Sequence, residues 1–155
     1  MKVRRRGGLV RLRLDSIESR LLSRLFADLL ELLSAEAPDD PVQRRLFPAG
    51  YSDDDAADLE FRSLTELTLR TERCERARQC VADLAAASGE LELTDEAGQR
   101  WIQVLNDVRL ALGTQLDITE HDDPDIDPDD PGAAQRAIYY WLTGAQDSIV
   151  RALMR

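Results

Sequence analysis

Residues 17–33 carry apolar side chains at Ile17, Leu21, Leu22, Leu25, Phe26, Leu29, Leu30, Leu32 and Leu33, nine of 17 positions at helical spacing. A stripe that wide cannot lie on a helix with one dry side and one wet side. It demands apolar neighbours on more than one flank, so this helix is central to the core or has a second face against a partner. Asp15 precedes the stripe and Glu18 follows three residues on, the pattern of a capping box, which sets where the helix begins.

Three more segments share this period. From Ser52, with Asp53, Asp54 and Asp55 in a first turn that suits the helix dipole, a long helix is predicted to about Ala87. Its expected core stripe is Phe61, Leu64, Leu67, Thr71, Cys74, Ala77, Val81 and Leu84. Ser88-Gly89 ends it, and Leu91 to Leu93 form a short extended link. Thr94 caps the next helix, which runs to about Leu116 with Trp101, Ile102, Leu105, Val108 and Leu112 inward. Asp130 as cap and Pro131 as first helical residue open the last helix, which buries Ala134, Ile138, Trp141, Leu142, Ala145, Ile149 and Leu153. Gly144 inside it costs only about 1 kcal/mol. The apolar spacing continues through it, so one helix is preferred to a helix-turn-helix with residues 147–155 as recognition helix.

The connectors are shorter and more polar. Residues 35–52 hold Pro38, Pro41, Pro48 and Gly50, and Asp40-Pro41 can start one short helical turn through Leu46 and Phe47. Val10 to Leu14 alternate apolar residues with arginine, the period of a short strand over residues 9–14. The expected fold class is all-α: a single-domain bundle of four main helices over residues 1–155, with a short N-terminal β-strand and one short extra helical turn. Residues 1–8 are expected to be a flexible basic arm and residues 117–130 an acidic loop, with Pro124 and Pro128 breaking any helix.

Charge narrows the function classes. Thirty acidic residues against 20 basic ones give a net charge of −10, which repels nucleic acid and anionic membranes overall. The distribution is polar: Lys2, Arg4, Arg5, Arg6, Arg11 and Arg13 precede the first acid, Asp15, while residues 117–130 hold eight acids and no Lys or Arg. With 5% aromatic residues, a base-stacking surface is not expected. No apolar stretch follows the basic N-terminus as a signal peptide requires, and no run of 18 apolar residues occurs. The expected compartment is the cytoplasm, where the two cysteines stay reduced.

Few residues invite chemistry. Cys74 and Cys80 are six apart, about 9 Å along a helix. That exceeds the roughly 7 Å Cα limit for a disulfide. They are candidate redox residues only if exposed beside Arg73, Arg76 and Arg78, which could lower a thiol pKa; buried, they are small core residues. Asp123, Asp125 and Asp127 alternate as in a calcium loop, but Pro128 stands where glycine is needed and Ala134 where a bidentate glutamate is needed. A solvated loop, or a docking surface for a basic partner, suits them better. His121 is the single histidine, and neither a Walker A loop nor Gly-x-Gly-x-x-Gly occurs, so no catalytic centre, metal or cofactor is expected. Arg4, Arg5, Arg6, Arg11 and Arg13 are the candidate DNA or partner contacts, with Arg11 and Arg13 on one strand face.

The segments "RLRLDSIESRLLSRLFADLLELL", "LFPAGYSDDDAADLEFRSLTELTLR", "WIQVLNDVRLALGTQL" and "AIYYWLTGAQDSIVRAL" occur in an order that resembles the actinobacterial domain of unknown function named after the oxidative stress regulator AosR. The resemblance covers nearly the whole chain, and residues 105–113 are its most specific part. It implies an all-helical fold and a redox-responsive transcriptional regulator, acting with DNA or with a partner such as a sigma factor. The family's redox role is attributed to closely spaced cysteines near the N-terminus, and this chain has none before Cys74. The expected function is thus a non-enzymatic regulator, homodimeric through its first helix. The alternative is an acidic adaptor that binds only proteins through the 117–130 loop and an apolar groove.

Overall fold

The computed structural model describes residues 1–35, 37, 39–48, 56–119 and 126–155, and of 56–62 the backbone alone. The elements run β1 (Lys2–Arg6), β2 (Leu9–Arg13), α1 (Ser16–Ser34), α2 (Pro41–Leu46), α3 (Ala56–Ala86), β3 (Glu90–Leu93), α4 (Asp95–Gln115) and α5 (Ala133–Leu153). The four main helices and the short extra turn are present as expected. The fold is nevertheless not purely all-α, because β1, β2 and β3 form a three-stranded antiparallel sheet in that order.

Two sequence features produce the sheet. Gly7 and Gly8 both take positive φ, 62° and 79°, the conformation that a two-residue hairpin loop requires and that glycine adopts without strain. Arg6 therefore pairs with Leu9, and the remaining pairs run back to Lys2 opposite Arg13. The supposed flexible arm is thus a strand, a correction with a plain cause: the Gly-Gly pair is a turn, not a hinge. The extended link at Leu91–Leu93 is β3, placing Leu91 opposite Leu12 and Leu93 opposite Val10 on the dry face.

Local capping follows the sequence at three of the four helix starts for which a capping residue was predicted. The Asp15 carboxylate accepts from the amides of Ile17 and Glu18, while Glu18 accepts from the Asp15 amide, completing the capping box. Asp40 caps α2 and Thr94 caps α4. The last helix departs: Asp130 accepts from the Gly132 amide in a turn, and α5 starts only at Ala133, with no side-chain cap. It then continues unbroken through Gly144, as one helix.

The core gathers Trp101, Phe26, Leu12, Leu22, Leu33, Leu46, Leu105, Leu142 and Ile149, all buried. Phe26 and Trp101 meet edge to face with centroids 5.5 Å apart, a favoured aromatic geometry. Gly98 lies against Leu153 and Gly113 against Tyr139, so α4 and α5 run antiparallel and in close contact; an added Cβ would come within 3.1 Å of the facing side chain at each. The sheet packs its inner face on α4 and α5.

The wide apolar stripe of α1 is absorbed within the chain. Leu22, Phe26, Leu29 and Leu33 are buried, and Leu25, Leu30 and Leu32 pack on the core from its flanks. Only Ile17 stays well exposed. The reason for expecting a dimer through this helix therefore falls away. On α3 the stripe divides instead: Cys74, Ala77 and Leu84 are buried and Val81 partly so, whereas Leu64, Leu67 and Thr71 face solvent. Their spacing is helical, but Leu64 and Leu67 keep more than half of their surface in solvent, so the spacing alone does not make them core. Phe61 lies outside the residues whose side chains are described.

Candidate interface on the N-terminal sheet

Strand alternation sorts the N-terminal cations by face. Val3, Arg5, Val10, Leu12, Leu91 and Leu93 share the inner face; Lys2, Arg4, Arg6, Leu9, Arg11, Arg13, Glu90 and Glu92 share the outer one. The outer face thus carries five cations and two acids. Arg11 takes up both acids, with Nη2 2.7 Å from Glu92 and Nη1 3.7 Å from Glu90. Arg13 stands opposite Glu90 in the register. Among the described residues Arg4, Arg6 and Arg13 form no ion pair, and all three are exposed. The expectation that Arg11 and Arg13 share a strand face holds.

Arg5 does not join them. Its guanidinium makes a two-pronged contact with Asp95 at the start of α4, at 2.8 and 3.1 Å. Hydrogen bonds from Arg5 hold the Asp95 carboxyl below its ordinary range. Planar guanidinium against carboxylate favours this geometry, so Arg5 fastens β1 to the helical layer rather than offering itself outward. In a period-two strand, neighbouring Arg4, Arg5 and Arg6 must split between faces, which a flexible arm over residues 1–8 does not require.

The two candidate redox residues are enclosed. Cys74 is 6% exposed and Cys80 0%, both free thiols in the core. Burial, then the neighbouring Asp83 carboxylate, push the Cys80 thiol up to about 12. At neutral pH the protonated thiol dominates, and it is the thiolate that reacts with an oxidant. Arg73 is committed to Asp107, and Arg100 and the Trp101 indole both donate to Asp83, at 3.1 and 2.8 Å. The exposure needed for a reactive cysteine is absent, which corrects the redox reading of this pair.

A second polar cluster, not anticipated, joins four helices. Arg70 of α3 donates to the Leu33 carbonyl at 2.6 Å, the Ala35 carbonyl at 3.0 Å and the Gln43 side chain at 3.2 Å, and its guanidinium lies 4.2 Å above the Phe47 ring. It thereby satisfies carbonyls at the end of α1, whose last turn has no cation of its own. Arg73 beside it pairs with the buried Asp107 of α4. These contacts hold α1, α2, α3 and α4 together and are structural. Of the acidic loop, His121, Asp123 and Asp125 lie outside the described residues; Asp127 is exposed and accepts from the Asp129 amide.

Comparison with known proteins decides the family. A profile of the domain of unknown function DUF2017 matches residues 1–153. The chain belongs to this family. It is 34% identical over 133 residues to the oxidative stress regulator AosR of Mycobacterium tuberculosis (strain H37Rv) and to that of Mycobacterium bovis, covering 77% of this chain and 61% of each relative. A Mycobacterium leprae protein bearing the AosR name is 34% identical over 134 residues, 78% of this chain and 62% of its own. The chain thus spans less than two thirds of the length of these relatives. No solved structure gives a significant match. Among the described residues no helix is long and apolar enough to cross a membrane.

Proposed function

We propose that this protein is a non-enzymatic regulator of transcription in an oxidative stress response, working in the cytoplasm and contacting DNA through the outer face of its N-terminal sheet. The regulatory half of this reading rests on the AosR relatives. The DNA half rests on one observation: Arg4, Arg6 and Arg13 project together from that face without carboxylate partners among the described residues, on a chain of net charge −10. On an acidic protein such a patch orients the molecule toward a polyanion while the rest of the surface is repelled. Arginine suits phosphate oxygens because its planar fork donates two hydrogen bonds at once. The contacts expected are to the backbone, since no aromatic side chain shares the face. With both thiols buried, the oxidative signal enters through a partner rather than through Cys74 or Cys80.

A second reading is favoured by a different surface. Leu64 and Leu67 of α3 are 59% and 60% exposed, an apolar pair on a helix face that nothing described covers. A protein partner of the sigma-factor type would dock there, making the chain an adaptor with no DNA contact. Fluorescence anisotropy with a pool of labelled duplexes at low salt separates the two. Binding that weakens by tenfold or more in Arg4→Ala/Arg6→Ala/Arg13→Ala supports the first. Absence of binding, or binding that the triple variant leaves unchanged, transfers the function to the α3 face.

A further inference from the structure

The free edge of β1 runs beside the last turns of α5, and an open cleft of about 140 Å³ lies between them. Four arginines line it, Arg4, Arg5, Arg151 and Arg155, together with Ser148. Two of the four are oriented by carboxylates outside the cleft. Arg5 is held by Asp95 and reaches to 3.5 Å from the Ala152 carbonyl, and Arg151 is held by Asp147 at 2.7 Å. Arg4 and Arg155 have no carboxylate partner among the described residues. The side chains around the cleft therefore carry more positive charge than their acids offset, in an arrangement that like-charge repulsion alone would open.

We propose that this cleft binds the phosphoryl group of a small phosphorylated molecule. Its volume is well below the roughly 300–1,000 Å³ typical of sites for whole drug-sized ligands, and suits a single tetrahedral anion. Only Val3 and Ala152 add apolar surface, and no aromatic ring lines the cleft on which a base could stack. The anion itself is what the site recognises. The Ser148 hydroxyl donates to the Gly144 carbonyl at 2.7 Å, so the donors must come from the guanidinium groups, whose forks match phosphoryl oxygens. The site shares Arg4 with the DNA reading and is otherwise distinct from it: Arg151 and Arg155 belong to α5 and its end, and Arg6 and Arg13 of the outer face take no part.

The test is a titration of the isotopically labelled full chain with inorganic phosphate at constant ionic strength, followed by amide resonances. Saturable shifts confined to residues 3–5 and 148–155 are expected. The apparent dissociation constant should weaken about tenfold in Arg4→Gln and in Arg151→Gln, for loss of one charge-assisted contact. It should stay unchanged in Arg13→Ala, which impairs only the DNA face. Arg151 is 71% exposed on its side chain, so its replacement leaves folding intact. Shifts that never saturate, or an affinity that Arg151→Gln does not alter, overturn the site. Shifts produced there by a duplex but not by inorganic phosphate overturn the small-molecule assignment and extend the DNA surface from Arg4 to the end of α5.

Discussion

Replacing Asp107 by alanine strands a charge, and the cost can be worked from the structure. The Asp107 side chain is 6% exposed and pairs with Arg73, itself 17% exposed and lying 5.8 Å over the Phe47 ring. Removing one member of a buried pair leaves the other desolvated and uncompensated, typically about 3–5 kcal/mol. Set against a total stability of about 5–15 kcal/mol for a domain, that is a large fraction. At about 2–4 °C per kcal/mol for a chain of this size, the melting temperature should fall by roughly 6–20 °C. Chemical denaturation of Asp107→Ala and of the double variant Arg73→Met/Asp107→Leu makes the cause legible. The double variant should recover most of the loss, since replacing both charges by apolar groups of similar volume is often neutral or stabilising. A single variant within about 1 kcal/mol of the parent, or a double variant worse than the single, would refute the stranded-charge argument.

Asp107 makes a second prediction, and Gly8 and Cys80 make one each. Burial raises the Asp107 carboxyl above its ordinary value, outweighing the opposing pull of Arg73 and Arg76. The folded state therefore binds the extra proton: this contribution to stability is fully present below about pH 4 and is lost as pH rises through the folded-state pKa. The stability of the parent relative to Asp107→Asn should therefore fall from pH 4 to pH 7, and a rise would have the wrong sign. Gly8→Val forces a branched residue to φ 79° and should cost about 1–2 kcal/mol or more, with exchange protection lost first across β1 and β2. Iodoacetamide at neutral pH should leave Cys80 unmodified in the folded protein and alkylate it in guanidinium; native-state labelling at the rate of a free thiol would contradict its burial and raised pKa.

Much of the helical framework was legible because it is local. The capping box at Asp15 and Glu18, the caps Asp40 and Thr94, and the uninterrupted apolar spacing through Gly144 each act within a few residues, and each appears where the sequence puts it. Asp130 failed for an equally local reason. Its carboxylate turned to the Gly132 amide, and Gly132 became the cap. The sheet was harder, since β3 is some 80 residues from β2 and only the tertiary fold joins them. The hairpin alone was within reach: two glycines between Arg6 and Leu9 are a two-residue loop signal. Helical spacing likewise cannot say whether a stripe finds a neighbour, which is why Leu64 and Leu67 looked like core and are not. The same limit applied to the arginines, where only the pleat shows that Arg5 turns inward to Asp95 while Arg4 and Arg6 face out.

The salt dependence of DNA binding tests the central claim most directly. Each phosphate contact contributes about 0.9 to the slope of log affinity against log salt on duplex DNA. If Arg4, Arg6 and Arg13 each meet a phosphate, the slope of the triple alanine variant should be shallower than that of the parent by about 2.7. Equal slopes, or no binding by the parent even at low salt, would contradict a DNA-contacting role for the outer face of the sheet.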